Sequence, residues 1–172
     1  MSPTFNPDDY GPILAEWLKI AHPVNLGPGQ PDESLRARFG ELTADHAFAG
    51  KIIHDADMGK ACLCGVLLRL DFLEDSHVIS QQVETPTGSF WHGIMHRREP
   101  DYGNAKYWFR HVGTHSVIDQ LKAEFPSYNP FLFIDEVAAA YSVGGVEELR
   151  CQQIQRREWE LLFDFSYRGA VG

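Results

Sequence analysis

Residues 57–82, DMGKACLCGVLLRLDFLEDSHVISQQ, contain the most extended helical pattern in the chain. Their larger apolar side chains recur at the spacing of one helix face. These residues are Leu63, Val66, Leu67, Leu70, Leu73 and Val78. At about 1.5 Å per residue the segment would extend about 39 Å, which is enough to cross a small domain. We therefore predict one long central helix over this segment.

The rest of the chain also favours helices over strands. No segment alternates polar and β-branched residues, and no Asn-Gly or Asp-Gly turn joins two apolar runs. Helical spacing, capping residues and helix-ending prolines or glycines predict further helices at 12–21, around 35–39, and at 90–99, 105–112, 116–125, 130–143 and 146–167. Helices joined by short loops predict a single-domain all-α helical bundle. We expect it to span residues 1–172, with flexible ends at 1–10 and 168–172.

Composition excludes several classes of function. A net charge of -9 repels phosphate backbones, so nucleic acid is not an expected partner. No run of about 18 apolar residues is present, and the first residues lack a secretory signal pattern. The three cysteines, Cys62, Cys64 and Cys151, are an odd set and predict no disulfide framework. We expect a cytoplasmic protein without a membrane partner.

Residues 89–113 contain three histidines, four arginines or lysines and two acids among several aromatic side chains. His92, His96 and Glu99 are spaced i, i+4 and i+7, so on a helix they form one row. By the same helical geometry this row borders the apolar face, at roughly 100–120° from it. Side chains in that position are partly buried but remain accessible to a ligand from solvent. The spacing therefore predicts one wall of a polar pocket.

A fourth candidate lies on the preceding helical segment. The short connection at 83–88 makes the two helices antiparallel neighbours, so His77 is expected to face His92 or His96. Imidazole combined with carboxylate suits iron, zinc or manganese, and two histidines with one carboxylate is the iron(II) oxygenase pattern. One hypothesis is therefore that His77, His92, His96 and Glu99 bind a divalent transition metal. Seven further residues would line or support this pocket: Asp71, Glu74, Gln81, Asp101, Asn104, Tyr107 and Trp108.

The metal hypothesis implies an enzyme that acts on a small anionic molecule. The residues expected to carry catalysis are His92, His96, Glu99 and Arg97. A His/Glu pair would move protons, and Arg97 or Arg98 would orient the anion. A metal-free pocket for a small organic ligand, with the same residues in acid–base roles, is a related alternative.

Two other hypotheses need no catalysis. In the first, the chain is a ligand-binding or partner-binding module whose polar block is structural. Arg97 or Arg98 would then pair with Glu99 or Asp101, and the histidines would satisfy buried polar groups. In the second, the block is an oligomerisation surface, since aromatic residues and arginine are enriched at interfaces. That hypothesis predicts a block exposed to solvent in the monomer.

The sequence of the polar block resembles a family of uncharacterised bacterial and fungal proteins that share a motif of the form H-x3-H-R-x-E-x-D-x2-N-x2-Y-W. The resemblance covers about residues 60–115. It includes a second block, DFLEDSHVISQ at 71–81. The residues that match by position are Asp71, His77, Gln81, His92, His96, Arg97, Glu99, Asp101, Asn104, Tyr107 and Trp108. The resemblance supports this choice of residues and implies no particular activity.

Overall fold

The structure is a computed structural model that describes residues 4–172. Over this range it contains nine α-helices, two 3-10 segments and no β-strand, which confirms the all-α prediction. The helices are α1 (Pro12–Lys19), α2 (Ala44–Ala47), α3 (Ala56–Arg69), α4 (Leu73–Ser80), α5 (Pro86–Arg98), α6 (Tyr102–Val112), α7 (Ser116–Glu124), α8 (Pro130–Val143) and α9 (Val146–Val171). The 3-10 segments are Pro7–Tyr10 and Glu33–Glu41. No helix between residues 4 and 172 combines the length and apolar content that a membrane span requires.

The predicted single helix over 57–82 is two helices. The chain bends after α3, where Asp71 has a φ of 67° in the left-handed region. After the bend, α4 packs against α3, and the hydroxyl of Ser76 donates to the carbonyl of Cys64 at 3.0 Å. The bend is stabilised from outside the segment, because the Asp71 carboxylate accepts hydrogen bonds from Asn25 and from the backbone of Gln30. Tertiary contacts thus override a helical pattern that is continuous in sequence.

The buried centre of the fold is α3, which packs against α4, α5 and α9. From Ala61 to Leu68 every residue of α3 is buried. Gly65 allows close packing, because an added Cβ would lie 2.9 Å from the Trp91 ring of α5. The longest helix is α9, with 26 residues, rather than the predicted segment at 57–82. The segment at 57–82 therefore supplies the central helix, as expected, but the longest helix is α9.

Side-chain caps explain two helix starts that differ from the prediction. The start of α5 is at Pro86 and not at Phe90, because the Thr85 side chain accepts from the backbone of Gly88 at 3.1 Å. The start of α6 is at Tyr102, because the Asp101 carboxylate caps it. These caps lengthen both helices that carry the polar block.

The two chain ends that we expected to be flexible make contacts with the core. Tyr10 is 4% exposed and its hydroxyl donates to Asp164 at 3.1 Å. At the other end α9 continues to Val171, and Ala170 is fully buried. Burial of these apolar side chains is the reason both ends are ordered into helical segments. The prediction for residues 1–3 lies outside the described residues.

Candidate metal centre

Three imidazoles from two helices converge beside the core. His77 comes from α4, and His92 and His96 come from successive turns of α5. One ligand nitrogen from each residue can be chosen so that all three lie within 4.8 Å of one another. His92 and His96 are 3% and 6% exposed, and His77 is partly exposed. The cluster is therefore mostly buried and reaches the surface on the side of His77.

The ring of His92 is held between other rings. Its centroid lies 3.9 Å from that of Trp108, with the planes 14° apart, and 4.7 Å from that of His77. Burial, and then the nearby charges of His96 and His77, lower the pKa of His92 to about 3. Its Nδ1 is buried without a hydrogen-bond partner among residues 4–172. A buried polar atom in this condition is costly unless something binds it.

His96 has two polar neighbours. A carboxylate oxygen of Glu99 lies 3.2 Å from its Nδ1, and the side-chain nitrogen of Asn104 lies 3.1 Å from its Nε2. Burial lowers the pKa of His96, and the charge of Glu99 opposes that effect. The Glu99 contact favours a proton on Nδ1, which would leave the Nε2 lone pair as the donor to a metal. Glu99 thus contacts a candidate ligand and does not join the three imidazoles as a fourth.

Arg97, which we expected to orient an anionic substrate, lies elsewhere. Its side chain is fully buried and forms an ion pair with Glu158 of α9, with a further hydrogen bond of 3.2 Å to Gln155. The Tyr128 hydroxyl donates to the same Glu158 at 2.8 Å, and the Arg97 guanidinium lies over the Phe133 ring. A helical residue that follows His96 points about 100° away from it, which directs Arg97 into the core. Arg97 cannot touch a substrate at the imidazole cluster.

Arg98 and Asp71 form a second buried ion pair. Arg98 also donates to the carbonyl oxygens of Gly27 and Leu68. The Nε2 of His22 lies 2.8 Å from the Asp71 carboxylate. The expected pairing of Arg97 or Arg98 with Glu99 or Asp101 is therefore wrong. Asp71, expected beside the histidines, instead joins α5 to the 22–30 loop.

The remaining expected pocket residues divide into three groups. Asn104 and Trp108 contact the imidazoles, as described above. Glu74, Gln81 and Tyr107 are exposed, and Tyr107 packs its ring against Trp108 and His111. Glu74 and Gln81 lie about one helical turn from His77 but are exposed, so the side of the cluster next to them opens to solvent. Asp101 serves as the cap of α6, and its charge opposes the lowering of the pKa of His96.

Sequence reasoning missed the partners of both arginines. Glu158 lies 61 positions after Arg97, and Asp71 lies 27 positions before Arg98. The signal that was available is the pair Gln155 and Glu158, three positions apart on the buried face of α9. These two polar residues occupy positions that an amphipathic helix normally fills with apolar side chains.

Comparisons of the chain with protein-family models, with curated proteins and with solved structures returned no match. The resemblance of the polar block to a known family therefore stays a prediction. The candidate site rests on its own geometry.

Proposed function

We propose that this protein binds one divalent transition-metal ion through His77, His92 and His96. The observation that carries the proposal is the convergence of three imidazoles, two of them buried, one of which, His92, has a buried nitrogen without a hydrogen-bond partner among the described residues. The Trp108 stack and the Glu99 contact would orient two of the rings. Metal ligation requires neutral imidazoles. The lowered pKa of His92 and of His96 favours the neutral form of both rings.

The donor set favours zinc or iron(II) over calcium or magnesium, because imidazole is a poor ligand for the hard cations. Three nitrogens around zinc, with bonds of about 2.0 Å at tetrahedral angles, would lie roughly 3.3 Å apart. The cluster spans up to 4.8 Å, so binding would draw the three rings closer together. Three protein ligands leave one position for water or a substrate.

An open position on such an ion supports metal-assisted catalysis. A metal ion lowers the pKa of a bound water and polarises a substrate oxygen. The partly exposed His77 and Glu99 lie at the rim, where a small molecule would approach. We therefore extend the proposal to an enzyme of hydrolytic or related chemistry on a small molecule. Arg97 and Arg98 have no part in it, since both are engaged in buried ion pairs.

The direct test is metal stoichiometry. We expect the wild-type chain to take up about one equivalent of zinc or cobalt(II) after dialysis, measured by elemental analysis and by the cobalt absorption spectrum. His77→Gln, His92→Gln and His96→Gln should each lose the ion while remaining folded by circular dichroism. His111→Gln is the matched control, because His111 is an exposed histidine on α6 outside the cluster. A wild-type chain that binds no ion, or a His77→Gln variant that binds as tightly as wild type, would refute the proposal.

Catalysis needs a separate measurement. The metal-loaded wild type and the His96→Gln variant would be compared on a panel of small esters, amides and phosphate esters. Turnover that requires both the ion and His96 supports an enzyme. Stoichiometric metal without turnover on any class would reject the catalytic extension and leave a metal-binding protein.

A structural role for the cluster is the second candidate. The observation in its favour is that both ring nitrogens of His96 already have polar neighbours, Glu99 and Asn104. The Asn104→Ala variant distinguishes a metal site from a structural hydrogen-bond network. If Nε2 is a metal ligand, removing the amide that contacts it leaves metal binding intact or tighter. If the cluster is only a hydrogen-bond network, this variant lowers the free energy of unfolding and no metal binds to either form. The exposed-interface hypothesis is not supported, because α5 is buried from Thr87 to Arg98.

A further inference from the structure

A cavity of about 390 Å³ lies on the opposite side of α5 from the three histidines. Ile94 and Arg98 line it, and each is two positions after a candidate ligand, His92 or His96. Two positions on an α-helix correspond to a rotation of about 200°, so the two sites are separate. The volume is within the range of small-molecule pockets, roughly 300–1,000 Å³.

The cavity has an apolar part and a polar part. Its apolar and aromatic lining comes from α1, α5, α9 and the segments next to α1: Phe5, Leu18, Val24, Ile94 and Trp159. Polar atoms are supplied by Asn25 and Gln155, and the two are joined because the Gln155 side chain donates to the Asn25 carbonyl at 2.7 Å. A mixed lining of this kind suits a ligand that has an apolar body and one polar end.

The charged side chains in the lining are not balanced. Arg98 is paired with Asp71, and Glu160 accepts from Arg157 at 3.1 Å. The other two, Arg69 and Arg156, have no carboxylate within ion-pair distance in the part of the chain that the structure describes. In a chain with 24 acidic and 15 basic residues, two arginines without acidic partners in one cavity are not expected from composition.

Arg69 is the more buried of the two. One of its guanidinium nitrogens donates to the Ile20 carbonyl at 2.9 Å, and the group lies 6.0 Å from the centre of the Trp159 ring. Burial, followed by the like charge of Arg156, lowers the pKa of Arg69. A partly buried cation beside a second cation is stabilised by an anion more than by water.

We propose that this cavity binds a small organic anion, with its carboxylate between Arg69 and Arg156 and its apolar body against Trp159, Leu18 and Ile94. Guanidinium groups form paired, charge-assisted hydrogen bonds with a carboxylate. The aromatic and aliphatic lining provides the burial that an inorganic anion would not use. The anion-binding role that the sequence assigned to Arg97 or Arg98 thus passes to two other arginines, in a different cavity.

The test uses decanoate as the probe and isothermal titration calorimetry on the full chain. We expect saturable binding of one decanoate, with Arg156→Gln and Arg69→Met each weakening it about tenfold or more, since each removes one charge-assisted contact. Arg156 is exposed, so its variant tests the proposal even if Arg69→Met does not fold. Arg110→Gln is the matched control, because Arg110 is an exposed arginine on α6 outside the cavity. Decanol and inorganic phosphate are the comparison probes.

Each outcome decides the proposal. Decanoate binding that exceeds that of both comparison probes, and that falls in Arg156→Gln but not in Arg110→Gln, supports it. Equal binding of decanol, equal binding of phosphate, no decanoate binding, or no effect of Arg156→Gln would each overturn it. Zinc binding measured on the same Arg156→Gln protein should equal wild type, so a failure here is distinguishable from a failure of the metal proposal.

Discussion

The imidazole of His92 lies flat against the indole of Trp108, with ring centroids 3.9 Å apart and planes 14° apart. The contact joins α5 to α6 and fixes the rotation of a ring that has an unpartnered nitrogen. Because a metal ligand must point its lone pair at the ion, this orientation matters for affinity.

Replacing Trp108 by alanine should weaken zinc binding about tenfold, since His92 would lose the ring that fixes its rotation. Trp108→Phe should retain most of the affinity because a phenyl ring still stacks. Tyr141 on α8 is the control, as it is 44% exposed and its replacement by alanine should leave affinity unchanged. Competition titration with a chromophoric chelator measures all three, and equal affinity of Trp108→Ala and wild type would contradict the assignment.

Removing the carboxylate of Glu99 should also weaken zinc binding. Glu99→Ala removes the acceptor at His96 Nδ1, and loss of such a partner typically lowers metal affinity about 10- to 100-fold. Glu99→Gln should have a smaller effect because an amide oxygen still accepts the hydrogen bond from the His96 N–H. Glu74→Ala provides the comparison, since Glu74 is an exposed acid on α4. A Glu74→Ala variant as weak as Glu99→Ala would show a general charge effect instead.

The Arg97–Glu158 pair should dominate stability. Glu158→Gln leaves a fully buried guanidinium without its counter-charge, so the free energy of unfolding should fall by about 3–5 kcal/mol. Lys106→Gln, which removes an exposed ion pair with Asp135, should change it by less than about 1 kcal/mol. Urea denaturation followed by circular dichroism gives both values. A small loss in Glu158→Gln would mean that the arginine reaches water or another acceptor.

Close packing of α5 and α6 depends on Gly93. A Cβ at this position would lie 2.7 Å from the ring of Phe109, so Gly93→Ala should push α6 away and destabilise the fold by about 1–3 kcal/mol. Gly103→Ala on α6 is the matched change, because the nearest atom to its Cβ is 4.0 Å away. That variant should be neutral or stabilising by up to about 1 kcal/mol. Thermal melts should therefore show a lower Tm for Gly93→Ala and an equal or higher Tm for Gly103→Ala.

Stability should decline as the pH falls below neutrality, and His115 is one cause. Its Nδ1 accepts from the backbone of Val117 at 3.3 Å and thereby caps α7, while burial lowers its pKa to about 4. In the unfolded chain His115 has an ordinary pKa near 6.5, so between about pH 6.5 and 4 the unfolded chain binds more protons than the folded one. The contribution of neutral His115 to stability is therefore fully present above about pH 6.5 and is lost as the pH falls towards 4.

The corresponding experiment compares wild type with His115→Asn from pH 7 to pH 5. The asparagine can still cap the helix and does not titrate in this range. The contribution of His115 at pH 5 is on the order of 1–2 kcal/mol, so the variant should lose less stability than wild type over the interval. Identical pH dependence of the two proteins would exclude His115 as a titrating group.

The parts of the fold that the sequence predicts well are those determined locally. Helix type follows from apolar spacing, and the convergence of His92 and His96 follows from their i, i+4 spacing on α5. His77 could be added because a short connection makes α4 and α5 neighbours. Each of these inferences needs only residues that are close together in the chain.

The parts that the sequence does not predict depend on distant partners. The bend at Asp71 requires Arg98 and the loop at 22–30, and the position of Arg97 requires Glu158. The cavity beside Arg69 is assembled from α1, α3, α5 and α9, and no local pattern marks it. The bend, the position of Arg97 and the cavity all depend on how the helices are aligned with one another. A single sequence does not determine that alignment.

The bend at Asp71 also bears on ion selectivity. It places His77, the third ligand of the proposed metal site, on α4, a helix of only 8 residues. A short helix of this kind would adjust to an ion more easily than the buried α3. A site with one such adjustable donor discriminates weakly among ions of similar radius. If the site binds an ion as proposed, we expect the supply of metals in the cell, more than the shape of the site, to decide between zinc and iron(II).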